Sequence, residues 1–187
     1  DVVITNHSIL GLESAGVPIL PGAGAYVIDE AHDLVDRVTG QLTVSISKSE
    51  INSLARLLRR EKILATGLES TADGLADVLG ELPEGRLTER PALLTDSLLA
   101  LLGELQQASE DVSSLPGKEE SDVAAKNVVR SRVQSLAEVV SQLLSDDVAE
   151  GKLVIWIQRD FDDVPSLHVA PLDVSSSLAD TLFEGKP

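Results

Sequence analysis

The feature that most constrains the fold of this chain is a change in the spacing of its apolar residues near positions 48 and 150. Before position 48 and after position 150, short apolar runs have the β-branched composition and the length of strands. Between these positions, aliphatic residues recur every three or four positions, which is the spacing of an amphipathic helix. The sequence therefore predicts an α/β unit, residues 1–47 and 150–187, that is interrupted by a mainly helical insertion, residues 48–149.

Several apolar runs outside the insertion carry the strand prediction. The run at 25–28 is apolar throughout and ends at two acids, which is typical of a strand buried on both faces of a parallel sheet. Residues 41–46 alternate apolar and polar side chains and predict a half-buried strand. The β-prone runs at 153–157 and 167–170 predict the two strands of a hairpin. The opening run at 2–4 predicts the end of a strand or an extended segment.

Four helices are predicted inside the insertion, joined by segments that contain proline or glycine. The first begins at a capping box, in which Ser47 and Glu50 satisfy free amides of the first turn. The second covers 71–79, the third follows Pro91, and the fourth carries an apolar stripe over 129–143. Aromatic residues make up only 2% of the chain, so we expect an aliphatic core.

Composition limits the partners and the chemistry of the chain. Its 15 basic and 31 acidic residues give a net charge of −16, so any contact with DNA must be local. It contains no cysteine, which excludes thiolate chemistry from this chain and fits a cytoplasmic protein. No apolar run approaches the roughly 20 residues that span a membrane. Because the chain starts at Asp1 and lacks methionine, we expect it to be an internal piece of a longer protein.

The most informative local motif is Asp29-Glu30-Ala31-His32, directly after the apolar run at 25–28. In open α/β sheets, ligands bind at the carboxyl ends of strands, and two adjacent acids at that place suit a nucleotide. One carboxylate can hold Mg²⁺ through its water shell, and the other can orient and deprotonate an attacking water. The residues alone leave open a simpler interpretation, in which Asp29 and Glu30 only cap a following helix, because acids are favoured at the positive end of the helix dipole.

Three segments together resemble superfamily 2 DNA helicases of the XPD/DinG branch. Residues 26–34, Tyr-Val-Ile-Asp-Glu-Ala-His-Asp-Leu, resemble motif II of these enzymes, the DEAH form of the Walker B motif. Residues 1–10, Asp-Val-Val-Ile-Thr-Asn-His-Ser-Ile-Leu, resemble the segment that precedes motif II. Residues 170–174, Ala-Pro-Leu-Asp-Val, resemble the stretch before motif III. In this branch an insertion called the arch domain follows motif II, and residues 33–150 occupy that place.

The resemblance implies a partial RecA-like motor-domain platform, 1–47 and 150–187, with an arch-like insertion at 48–149. It implies that Asp29 takes part in ATP binding and holds Mg²⁺ through water, and that Glu30 is the catalytic base. It also implies that His32 couples hydrolysis to DNA binding. A longer protein of this kind would hydrolyse ATP and move along single-stranded DNA, and its insertion would help to enclose or gate the strand.

The chain departs from a complete helicase in several respects. It contains no Gly-x-x-x-x-Gly-Lys-Ser/Thr loop for the ATP phosphates, no motif III and no second motor domain. We therefore expect the chain alone to be inactive as an ATPase. Some members of the family bind an iron–sulfur cluster through four cysteines that precede motif II. This segment contains none of those cysteines, so the presence of a cluster in the longer protein stays open.

Other candidate residues have simpler interpretations. One basic cluster lies in the first predicted helix of the insertion and consists of Arg56, Arg59, Arg60 and Lys62. It is a candidate contact for a DNA strand, although a solvated helix face is the preferred interpretation. Trp156 could stack a base, but a lone tryptophan in an apolar strand favours core packing. We expect His7 to pack or hydrogen-bond at the sheet edge, and His168 to be structural.

Two other functions remain open on the sequence. The first is a helical interaction module whose acidic surface binds a protein partner, with an incidental DEAH sequence. The second is a different ATPase that uses a Walker B motif. A phosphate-binding loop upstream of this chain would favour an ATPase, and helicase motifs III to VI downstream would identify a helicase.

Overall fold

The computed structural model describes residues 2–14, 19–20, 22, 25–115 and 120–179 of the chain. These residues form seven helices and four strands: α1 (His7–Ser14), α2 (Leu34–Leu42), β1 (Val44–Ser47), α3 (Lys48–Arg60), α4 (Thr66–Glu81), β2 (Gly85–Leu87), α5 (Ala92–Ser114), α6 (Glu120–Leu144), β3 (Leu153–Arg159), β4 (Pro165–Pro171) and α7 (Ser175–Leu178). A 3-10 turn, Ala31–Asp33, precedes α2. None of these helices is both long and apolar enough to cross a membrane.

The four strands form one antiparallel sheet in the order β1-β4-β3-β2. β3 and β4 are the two strands of the predicted hairpin. β1 adds to the free edge of β4, with Val44 opposite Val169. β2 adds to the free edge of β3, with Leu87 opposite Ile155. The sheet therefore joins strands from both sides of the helical block to one short strand inside it.

The helical block packs against one face of this sheet and forms a single aliphatic core. Ile155 and Ile157 of β3 and Leu167 and Val169 of β4 are each at most 1% exposed, because every second side chain of a strand points to the same face. The helices α3 to α6 contribute the apolar stripes predicted from their spacing, including Leu54, Leu58, Leu75, Leu98, Leu105, Val133 and Leu143. The predicted aliphatic core is thus confirmed.

A second and smaller group of buried residues lies outside that core. It joins α1, α2 and the segment that leads into α7, and its buried members are Leu10, Leu34, Val38, Val174 and Leu178. Tyr26 and Ile28 pack partly against it. The segments before β1 and after β4 therefore meet in a cluster of their own.

The predicted capping box at the start of α3 is confirmed for Ser47 only, because the carboxylate of Glu50 accepts from the Ser47 hydroxyl and not from a backbone N–H. The hydroxyl of Ser47 accepts a hydrogen bond from the backbone N–H of Glu50 at 3.4 Å. The same hydroxyl lies 3.1 Å from Oε2 of Glu50 and donates to it. Helices α4 and α5 are longer than the apolar spacing indicated. Helix α7 ends at Leu178, and residues 180–187 lie outside the described residues.

Two predictions about the sheet are wrong. Residues 25–28 form no strand, and the side chain of Val27 is fully exposed rather than buried on two faces. The sheet is antiparallel rather than parallel, and its edge strand β2 comes from within the predicted insertion. An apolar run indicates that a segment could be buried in a sheet. A strand also needs a neighbouring strand to pair with, and the run gives no information about that neighbour.

The domain boundaries predicted at 47/48 and 149/150 cross the large core, because β1, β3 and β4 pack on the helices of the insertion. The α/β class is confirmed, with a small antiparallel sheet and a large helical part. A RecA-like platform remains a prediction.

Candidate functional site

The Asp29-Glu30-Ala31-His32 motif lies on a tight turn between the extended segment at 25–28 and α2. Glu30 has a left-handed backbone conformation, with φ 49° and ψ 46°, and the 3-10 turn follows at once. For a residue other than glycine this conformation costs on the order of 1 kcal/mol, and such residues concentrate at functional sites. All four side chains are exposed.

His7 connects this turn to the start of the chain. It lies in the first turn of α1, and its Nε2 is 2.9 Å from the carbonyl oxygen of Asp29. The carbonyl can only accept, so this contact requires the tautomer with the proton on Nε2. The hydrogen-bonding role predicted for His7 is confirmed, although its partner is a turn and not a sheet edge.

The acids of the turn do not act as a simple helix cap. Glu30 occupies the position that precedes the 3-10 turn, yet its side chain makes no capping hydrogen bond. Oδ1 of Asp29 accepts from the backbone N–H of Glu30 at 3.0 Å. Oε2 of Glu30 lies 3.3 Å from Nδ1 of His32, and Nε2 of His32 lies 3.4 Å from Oδ1 of Asp33. The imidazole therefore sits between two carboxylates, in an exposed pair of contacts that contributes little to stability.

Asp29, which was predicted to hold magnesium through water, has an exposed carboxylate, and its role as a metal ligand stays a prediction. Among the described residues there is no group of three or more side chains placed to hold a metal ion. Magnesium commonly keeps several of its waters and takes one or two carboxylates together with phosphate oxygens. The exposed carboxylate of Asp29 fits that pattern, and most of the remaining ligands would come from water and a bound phosphate.

The predicted basic cluster on α3 divides into engaged and free side chains. Nη2 of Arg59 forms an ion pair with Oε1 of Glu69 on α4 at 2.6 Å. Arg56 turns back to its own helix, with Nη2 2.9 Å from the hydroxyl of Ser53. Arg60 and Lys62 are exposed and make no ion pair or side-chain hydrogen bond with the described residues. Two of the four cations are therefore engaged with neighbouring side chains, and two are free of such contacts among the described residues.

The core role predicted for Trp156 is wrong. The side chains of Ile155 and Ile157 point into the core, so the ring of Trp156 lies on the opposite face of the sheet. It stacks on His168, with ring centroids 5.1 Å apart and planes 17° apart. Arg86 of β2 is opposite Trp156 in the register, so an exposed cation lies beside this stacked pair. The alternation of Trp156 with two isoleucines was the sequence signal for this placement.

His168 is held within this outer face. Its Nε2 lies 2.9 Å from the hydroxyl of Ser166, two residues earlier on β4. Burial lowers the pKa of His168, and the nearby charge of Glu50 opposes that shift. The structural role predicted for His168 agrees with these contacts.

Comparison with known proteins gives a partial match to helicases. No family model matches the chain. Proteins named ATP-dependent helicase DinG, from Mycobacterium tuberculosis strain H37Rv and from Mycobacterium bovis, are each 38% identical to it over 61 residues. The matched stretch is 32% of this chain and 9% of each relative, so the match spans a small part of the relatives' length. This similarity supports a relationship to the helicase family and a helicase-related function.

Proposed function

We propose that this chain is a segment of an ATP-dependent DNA helicase and contributes the Walker B motif and a helical insertion. One observation carries the proposal beyond the partial match. The three segments that resemble helicase sequence meet in the smaller buried cluster, where they contribute Leu10, Leu34 and Val174. The hydrogen bond from His7 to Asp29 links two of these segments directly. Packing of the three segments against one another is expected if they belong to one motor domain and the insertion projects from that domain.

In the proposed helicase, each residue of the turn has a separate task. Bound ATP and Mg²⁺ would supply the phosphoryl group and the charge that stabilises its transfer. Asp29 would hold the ion through water. Glu30, whose carboxylate is exposed and makes no cap, would orient the attacking water and accept its proton. His32 contacts both Glu30 and Asp33. A change in the charge of Glu30 would therefore change the electrostatic interaction between Glu30 and the imidazole.

The insertion would act on the DNA strand and not on the nucleotide. Its core is built from α3 to α6 and the sheet, whereas Asp29 and Glu30 precede α2, whose apolar side packs in the other cluster. The proposed division of work is therefore hydrolysis at the turn and strand enclosure or gating by the helices. Single-stranded DNA and ATP are the partners that this function requires.

The test is Glu30→Gln in the longer protein, assayed for ATP hydrolysis in the presence of single-stranded DNA. The amide keeps the shape of the side chain but cannot take the proton, so turnover should fall at least about 100-fold. ATP binding, measured with a fluorescent analogue, should stay within about twofold, because the proton is accepted only during hydrolysis.

Asp36→Asn is the matched control, since Asp36 is an exposed acid in the first turn of α2. It should leave turnover unchanged. Turnover at the wild-type rate in Glu30→Gln would remove Glu30 from the reaction and leave the acids of this turn with a structural role.

A further inference from the structure

The basic residues of this acidic chain are concentrated on two helical segments. Seven of its 15 lysines and arginines lie in residues 51–62 and 123–137, together with a single acid, Glu61. The other 30 acids lie elsewhere in the chain. The two segments belong to α3 and α6, which pack against each other. Two helical segments in a chain with a net charge of −16 therefore carry a local excess of positive charge.

Some of these cations have structural partners. Nζ of Lys126 donates to the carbonyl oxygens of Ser113 at 3.0 Å and Leu115 at 2.8 Å. Nη2 of Arg130 donates to the hydroxyl of Ser113 at 3.2 Å. Both side chains thus stabilise the last turn of α5, where carbonyl groups lack helical partners and cations are favoured. Arg59 is paired with Glu69, so these three cations have a role in the fold.

One free cation, Arg132, lines a groove between α3 and α6. The groove has a volume of about 470 Å³ and is lined by Leu57 of α3 and by Asn127, Val128, Ser131, Arg132 and Ser135 of α6. Arg60 follows Leu57 by three residues, so it lies on the same side of α3. Arg60 and Arg132 are exposed and make no ion pair or side-chain hydrogen bond with the described residues.

The chemistry of this groove suits a phosphodiester backbone. Guanidinium groups bind phosphate oxygens through paired, charge-assisted hydrogen bonds. The hydroxyls of Ser131 and Ser135 and the amide of Asn127 add neutral donors. Leu57 and Val128 offer apolar surface to the sugars, and Val128 is 61% exposed. A lining of this kind reads backbone charge and not base identity.

We infer that the groove between α3 and α6 binds the phosphate backbone of single-stranded DNA, with Arg60 and Arg132 as the main contacts. Arg56 within α3 and Lys62 just after α3 extend the positive surface. The choice of DNA rests on the proposed function, and the groove is the strand-contacting surface of the insertion. A single strand is favoured over a duplex, because a duplex would bring more phosphates close to the acidic surface around the groove and would be repelled more strongly. Compared with the cluster predicted from the sequence, Arg132 replaces Arg59.

Fluorescence anisotropy of the 187-residue chain with a fluorescein-labelled thymidine oligonucleotide of about 20 nucleotides tests this inference. At roughly 20 mM salt we expect a dissociation constant of about 10–100 μM, because few cations contact the strand. The double variant Arg60→Glu, Arg132→Glu should weaken binding at least about tenfold and flatten the salt dependence. Arg60→Lys with Arg132→Lys keeps the charge and should stay within about threefold of wild type.

The matched control is Arg37→Glu with Arg86→Glu. Both arginines are exposed and make no ion pair or side-chain hydrogen bond with the described residues, and the change in net charge is the same. We expect less than about a twofold loss of affinity in this control. Circular dichroism should show the same helix content in all variants, because no fold contact of the described residues is removed.

Three results would overturn the inference: no binding of the wild type at low salt, equal losses in the groove and control variants, or equal displacement of the oligonucleotide by a polyglutamate peptide of matched charge. The last result would assign the groove to an acidic peptide. None of these measurements uses ATP. Failure at the groove therefore leaves the Glu30→Gln test intact, and failure of that test leaves the groove result intact.

Discussion

The two buried clusters of this chain differ in how far each is stabilised by its own packing. The large core runs without a break from Ile46 to Val169 and contains side chains that are almost fully buried. The smaller cluster has five buried residues, and the segments around it expose Val2 at 90%, Ile4 at 93% and Val27 at 101%. The body of α3 to α6 and the sheet therefore has an extended core, whereas the region that carries Asp29 and Glu30 has a small one.

This difference bears on where catalytic residues are found. Some ligands bind between several parts of a protein. The residues that act on such a ligand need a fixed backbone but do not need a large core around them. The turn at Glu30 meets that condition, because its left-handed backbone is kept by a few hydrogen bonds rather than by a core. In the proposed helicase, the neighbouring strands and the phosphate-binding loop would cover Val2, Ile4 and Val27 and complete the site.

The largest expected effect on the free energy of unfolding comes from a leucine-to-alanine substitution, which we compare between the two clusters. Leu98→Ala removes a fully buried side chain from the large core and should lower the free energy of unfolding by about 3–5 kcal/mol. Leu34→Ala in the smaller cluster, where Leu34 is 5% exposed, should lower it by less than about 1.5 kcal/mol for the main transition, because that region opens separately.

Urea denaturation followed by circular dichroism at 222 nm measures both variants, since most helical residues lie in the body. Equal losses in the two variants would mean that the clusters unfold as one cooperative unit. The contrast between an extensively packed and a sparsely packed region would then be wrong.

Much of the body was predictable from the sequence. The helices of the insertion follow from leucine and valine at spacings of three and four, and the start of α3 follows from Ser47 and Glu50. The β3–β4 hairpin follows from two β-prone runs joined by a polar segment. These features depend on interactions between residues that are close in the chain, which a local pattern records directly.

The remaining features depend on partners that are distant in the chain. β2 has only three residues, too few for a detectable period, and it is a strand because Leu87 pairs with Ile155. Residues 25–28 have the composition of a strand but no described strand beside them. Arg132 and Leu57 line one groove only because α6 packs against α3. The turn at Glu30 could be located from its motif, but its hydrogen bond from His7 could not.

A smaller effect concerns a polar link within the body. Arg90 donates from Nε to the hydroxyl of Thr95 at 3.1 Å and from Nη1 to the carbonyl oxygens of Leu143 at 2.5 Å and Ser145 at 3.4 Å. It ties the start of α5 to the end of α6, whose last carbonyls have no helical donors. Arg90→Ala should lower the free energy of unfolding by about 1.5–3 kcal/mol.

Arg86→Ala is the matched control, because Arg86 is exposed and makes no side-chain hydrogen bond with the described residues. Its effect on the same denaturation curve should stay within about 0.5 kcal/mol. A loss below about 0.5 kcal/mol in Arg90→Ala as well would show that apolar packing alone holds the ends of α5 and α6 together.

The smallest effect lies on the outer face of the sheet, where Trp156 stacks on His168. Because burial lowers the pKa of His168 below its ordinary value of 6.5, the unfolded chain takes up a proton first as the pH falls. The stability due to the neutral imidazole is therefore fully present above pH 6.5 and declines as the pH falls from there towards the folded-state pKa. Urea denaturation at pH values on either side of 6.5 should show this decline.

The lone tryptophan gives a direct measurement of the same pKa. A protonated imidazole stacked on the indole quenches its emission, so the fluorescence of the folded chain should fall with a midpoint below pH 6.5. His168→Gln should remove this step, whereas His7→Gln should keep it, because His7 lies at the other cluster beside Asp29. A midpoint at or above 6.5 would mean that the charge of Glu50 outweighs burial.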